Sequence, residues 1–149
     1  MQLPTRVPLS ALPGWGSQTE AAFIADAKAL RARGVRVGLG SDGVRDSWSP
    51  FGNADMLHRA HLLGLITRVR LDEELTGCYL SAAHGGADVL GLPRADLTPG
   101  SPADFLLVEG ECLPQVVVDL PARAVVVRAG RVVARDGELV EDPAPSAQR

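Results

Sequence analysis

Val35-Arg36-Val37-Gly38-Leu39-Gly40 runs directly into Ser41-Asp42-Gly43-Val44-Arg45-Asp46-Ser47-Trp48-Ser49-Pro50-Phe51-Gly52, and this junction decides how the chain is read. The first six residues are a short β-rich run bounded by glycines, which predicts a strand over 35–40. The polar stretch that follows predicts a loop through Pro50. In a barrel of parallel strands the C-terminal strand ends carry the active site, because the loops converge there while the strands hold their first residues rigidly. Asp42 stands at that position. A carboxylate so placed can bind a divalent metal or take a proton from metal-bound water. The same residues also suit a plain turn, since Asp and Gly tolerate turn conformations and Asp caps helices. Asp46 reads first as a cap or a partner of Arg45, and Trp48 either as a ring that stacks on a planar substrate or as a core residue.

Outward from this junction the chain alternates helix and strand. Before it, Ser17 or Thr19 can cap a helix in which Phe23, Ala27 and Leu30 share a face until Gly34 stops the pattern, predicting a helix over 17–33. After it, Met56, Leu57, Ala60 and Leu63 predict a helix over 53–66. A further helix is expected from Asp72-Glu73-Glu74 to about Leu92, broken in two by Gly85-Gly86. Beyond Pro93 the character becomes β: Ala103–Val108, Ala124–Arg128 and Arg131–Arg135 read as strands, the last two joined through Ala129-Gly130 as a hairpin. The tail from Asp142 has too little apolar content to pack and is expected to be disordered.

Composition narrows the function classes. The 149 residues are 46% hydrophobic and 22% charged, typical of a soluble globular chain. The net charge of −3, with no Lys/Arg cluster in the sequence, argues against nucleic acid as a partner and for a small-molecule substrate. Cys78 and Cys112 lie far apart and outside any C-x-x-C pair, so neither a disulfide framework nor a structural zinc site is expected, and a cytoplasmic location is the default. No run approaches the roughly 18 apolar residues of a membrane span, and no export signal opens the sequence.

Other motifs add little chemistry. His58 and His61 share a helix face, but the Glu of H-E-x-x-H is absent and no third ligand lies nearby in sequence, so a structural role is expected. His84, beside two glycines, reads as a helix-end residue. G-x-S-x-G, a P-loop and the H-x-E with P-C-x-x-C pattern of zinc nucleoside deaminases are all absent.

The stretch from Gly40 to Leu57 resembles the segment after the eighth barrel strand in cytosine deaminases of the metal-dependent amidohydrolase superfamily. Ala87-Asp88-Val89-Leu90-Gly91-Leu92, Pro99-Gly100-Ser101-Pro102-Ala103-Asp104-Phe105 and Val126–Ala134 resemble the closing part of those enzymes, where strands join a small β-sandwich beside the barrel. The resemblance covers about Ala29 to Gly137. It implies an α/β fold: the C-terminal fragment of a TIM-type (β/α)8 barrel over residues 1–100, β-sandwich strands over 101–141, and a tail over 142–149.

The likeness also implies an activity, hydrolysis of a non-peptide carbon–nitrogen bond of a cyclic amidine or amide with a divalent zinc or iron ion. Asp42 would contact that metal and the activated water, and Trp48 would line the substrate pocket. Gly43 stands where the cytosine deaminases carry a second acidic residue, which opens the choice of ring to guanine- or triazine-type substrates. The H-x-H pair of the first strand and the histidines of the fifth and sixth strands have no counterpart here. A whole barrel of this type takes about 250 residues. The expectation is therefore a chain that is inactive alone, retains no metal, and associates with itself or with the missing barrel half; the alternative is a noncatalytic binding or oligomerisation module.

Overall fold

A computed structural model of the chain describes residues 30–47 and 50–140. Of the helix expected over 17–33, residues 30–32 are helical and the rest lies outside the described residues, as do Trp48 and the tail over 142–149.

The first complete helix, α1, spans Met56–Thr67. Asp55 starts it: its extended backbone leaves the carboxylate free to accept the amides of Leu57 and His58 at 3.0 and 3.2 Å, satisfying donors that the first turn cannot pair. Arg68, in the left-handed region at φ 54°, ends it. Helix α2 spans Asp72–Leu90. It has no side-chain cap, but Asp72, Glu73 and Glu74 place negative charge against the positive end of its dipole. Gly91 at φ 70° closes it, as a left-handed cap requires.

Two expectations are corrected in this half. Helix α2 continues through Gly85 and Gly86 without a break, so His84 lies inside it and not at an end. Glycine costs about 1 kcal/mol in a helix interior, but here the bare backbone lets the 35–40 segment approach. That segment joins no sheet. A strand exists only with a hydrogen-bonded neighbour, and residues 35–40 lie instead against α2, with the Leu39 amide donating to the Ser81 carbonyl at 3.1 Å.

The other half is a four-stranded antiparallel sheet in the order β1-β2-β3-β4, made of Phe105–Val108, Arg123–Arg128, Arg131–Arg135 and Glu138–Leu139. The Ala129-Gly130 turn falls as read, with φ 49° and 74° at its two residues, the backbone twist a tight hairpin needs. Between β1 and β2 lies α3, Leu113–Asp119, which the sequence reading left unassigned.

The core is small. Leu57, Ala60 and Leu63 of α1, Cys78 of α2, and Val116 and Val117 of α3 form one buried cluster, against which Leu39, Val108 and Leu120 also pack. Helix α3 therefore bridges the two longer helices. The sheet is tied to them by an ion pair at one end, where Arg123 of β2 meets Asp55 at 2.5 Å.

Candidate active-site loop

Leu39, packed against the core and bonded to Ser81, fixes the point from which the loop departs. Three residues on, Asp42 is exposed and sits at φ 55°, in the left-handed region that Asp tolerates better than most residues but still at some cost. Ser41 Oγ donates to the Asp42 carbonyl at 3.3 Å. Arg45 and Ala54 also have positive φ, at 52° and 54°. A short segment holding three such non-glycine residues is over-determined by its surroundings, a condition found at binding and catalytic loops.

Those surroundings are specific. The Asp46 carboxylate lies against the Cα of Gly43, so a side chain at position 43 would collide with it. Gly52 lies against the Gly43 carbonyl, and a Cβ on Gly52 would stand 3.0 Å from the Cα of Val44. The two ends of the loop thus meet through glycine backbone just after Asp42. Gly43, which the resemblance marks as a departure, leaves room for the Asp46 carboxylate.

From Gly52 the chain returns to α1 through a fixed turn. Asn53 Oδ1 accepts the Asp55 amide at 3.1 Å, and Asn53 Nδ2 donates to Nδ1 of His58 at 3.2 Å. Asp55 then caps α1 and receives Arg123 from the sheet. Both ends of the Asp42 loop are therefore anchored, one on α2 and one on the α1 cap.

The two histidines of α1 do not converge. Their rings are 6.4 Å apart; His58 is engaged by Asn53, and His61 donates from Nδ1 to the Val117 carbonyl at 3.0 Å, tying α1 to α3. Among the described residues there is no group of three or more His, Cys, Asp or Glu side chains that could hold a metal. These residues alone therefore do not make a metal centre; Asp42 could supply one carboxylate of one. Cys78 is poorly suited to act as a nucleophile, since burial pushes its thiol up and favours the protonated form.

The sequence reading placed Asp42 at the head of this loop, where it is found, and Trp48 within it, outside the described residues. It did not identify Arg123 or Asp55 as the clamp on the far end. Their separation of 68 residues leaves no local pattern to find.

Residues 11–140 match the sequence profile of the amidohydrolase family. The chain is 28% identical over 112 residues to N-isopropylammelide isopropyl amidohydrolase of Pseudomonas sp. (strain ADP), which covers 74% of this chain and 28% of that protein. It superposes on the crystal structure of N-isopropylammelide isopropylaminohydrolase from Burkholderia multivorans with TM-score 0.71 and 35% identity, over 85% of this chain and 37% of that one. On 5-methylcytosine deaminase from Klebsiella pneumoniae, solved with 5-fluorocytosine, the TM-score is 0.64 with 25% identity, over 80% of this chain and 29% of that one. The chain thus spans between about a quarter and two fifths of the length of these relatives.

Proposed function

Since this chain belongs to the amidohydrolase family and is cytosine deaminase-like, we propose that it is the part of such a hydrolase that carries Asp42, acting on a non-peptide carbon–nitrogen bond of a cyclic amidine or amide. The observation that carries the reading is Asp42 itself, a carboxylate in a left-handed backbone conformation at the head of a loop anchored at both ends. A carboxylate at the head of such an anchored loop can serve proton transfer to and from a water attacking the ring carbon. Trp48, six residues after Asp42 in the sequence, would supply a flat face for the ring.

In this reading residues 1–100 are the last elements of a TIM-type (β/α)8 barrel, and residues 101–141 belong to the sandwich beside it. Two features support that placement. Among the described residues no strand lies beside residues 35–40, so a segment with strand-like composition is left without the neighbours that a barrel would give it. Large apolar side chains stand exposed along the helices, among them Leu65, Ile66, Leu71, Val89 and Leu90, the last with 72% of its surface in solvent. The rest of the barrel, or a second copy of the chain, would cover them.

Enzymes of this family generally depend on a metal. Zinc or iron bound with Asp42 would take its other ligands from outside the described residues, so the chain alone would bind metal weakly and turn over little. The higher identity to the isopropylaminohydrolase than to the methylcytosine deaminase favours a substrate bearing a substituted amine over cytosine itself. No helix among the described residues is long and apolar enough to cross a membrane.

The test joins this chain to the part of the Burkholderia enzyme that lies outside the matched region and assays amine and ammonia release from N-isopropylammelide, cytosine and 5-methylcytosine. Turnover of at least one of them by the joined protein, with none by the chain alone, is the expected result. A joined protein that melts cooperatively yet hydrolyses none of the three contradicts the reading.

A further inference from the structure

Folding gathers three guanidinium groups that the sequence keeps apart. Arg31, Arg36 and Arg94 line one cleft of about 410 Å³ between residues 31–37 and α2, with His84 and Asp88 contributed by the helix. Arg94 clamps the Asp88 carboxylate through Nε and Nη2, each at 2.6 Å. Arg36 Nη1 donates to the main-chain carbonyl of Asp88 at 2.9 Å, and Arg31 Nη2 to that of Val37 at 3.3 Å. These last two arginines are thus oriented by neutral carbonyl acceptors; Arg36 also shares the Asp88 charge with Arg94, and each guanidinium has more N–H groups than these bonds use.

Among the described residues, the carboxylates at the cleft are already engaged. Asp88 is held by Arg94, whose hydrogen bonds and charge keep its carboxyl below the usual carboxylate range. Asp96, which also acts on Arg94, is turned to the hydroxyls of Ser101 and Thr98. On a chain of net charge −3 the cleft is therefore a local excess of positive charge. It is also roomy: a Cβ built on Gly34 or Gly77, both in its wall, meets nothing within 4 Å.

We infer that this cleft binds a small multivalent oxyanion, of the phosphate or polycarboxylate class, across Arg31 and Arg36 with Arg94 at its edge. Guanidinium forks match the paired oxygens of such groups, and two of them converging on one anion add both energy and geometry. If the arginines served only to fasten residues 31–37 to α2, contacts to the carbonyls would suffice, and nothing would require three of them around one open volume. The inference is independent of the hydrolytic reading, since none of these residues belongs to the Asp42 loop.

The test titrates the whole chain calorimetrically with pyrophosphate and, separately, with citrate, against sodium chloride of matched ionic strength. The expected result is saturable one-to-one binding of at least one of the two anions. Each of Arg31→Gln and Arg36→Gln should weaken it by about tenfold, the worth of a hydrogen bond to a charged group. Arg36→Lys should keep part of the affinity, and Arg128→Gln, in a second cleft lined by Phe105 and Val127 of the sheet, should keep all of it. Amide shifts in the unaltered chain give a reading free of any folding defect in the variants, and on titration they should move at Gly34, Gly77 and Ser81. Heats no different from chloride, shifts confined to other residues, or binding that survives the double replacement of Arg31 and Arg36 would each overturn the inference.

Discussion

Gly38 and Gly85 pack backbone to backbone: a Cβ built on Gly38 would stand 2.6 Å from the carbonyl carbon and oxygen of Gly85, and one built on Gly85 would stand 2.8 Å from the Cα of Gly38 and 2.6 Å from the Val37 carbonyl oxygen. The contact explains why glycine interrupts a helix that nevertheless continues. It also fixes the run leading to Asp42, because Gly38 lies four residues before it.

Gly85→Ala should destabilise the chain by about 1–3 kcal/mol, the usual cost of forcing extra volume into a packed contact, although alanine is the better helix former. Gly86→Ala, whose Cβ would meet nothing within 4 Å, should stabilise it by up to about 1 kcal/mol. Denaturant melts of the two variants give the opposite signs. The same sign for both would mean that the close approach does not exist.

The Arg123 to Asp55 pair joins the sheet to the cap of α1, with side chains 23% and 32% exposed. Asp55→Ala loses both the cap and the pair and should cost about 1–2 kcal/mol, while Arg123→Ala should cost less. A double-mutant cycle should return a coupling of about 0.5–1 kcal/mol. Strict additivity would show that the pair does not link the two halves.

Asp96 accepts from the hydroxyls of Ser101 and Thr98, which hold its carboxyl at about 2 against an ordinary value of 3.8. A carboxylate depressed on folding contributes stability that is present above its unfolded value and is lost as pH falls toward its folded one. The stability gap between the parent and Asp96→Asn should therefore be full above about pH 4 and close toward pH 2. Carboxyl chemical shifts should place the Asp96 midpoint near 2. A midpoint at the ordinary value would mean that the hydroxyls do not engage it.

The parts legible in the sequence were those with local, periodic signals. Leu57, Ala60 and Leu63 announce α1, and Ala129-Gly130 announces the β2–β3 hairpin, because one turn of helix or one tight turn decides each. Helix α3 escaped because Val116-Val117-Val118 reads as β; it is helical since Pro114 suits a first turn and Val116 and Val117 are buried in the core. Residues 35–40 looked like a strand because the composition says so, yet strand formation needs a neighbour that composition does not encode. Within the candidate site, Asp42 was visible from its place after that run. The clamp at Asp55 and the arginine cleft were not, since both depend on residues that only folding brings together.

The most direct test of the central claim replaces Asp42 by Asn in the protein joined to the part of the Burkholderia enzyme that lies outside the matched region. The substitution keeps size and shape but removes the charge that would accept a proton, so turnover should fall by about a hundredfold to ten-thousandfold. His58→Ala and His61→Ala, whose rings serve Asn53 and the Val117 carbonyl, should alter turnover only slightly. An Asp42→Asn protein nearly as active as its parent, with either histidine change abolishing activity, would contradict the assignment.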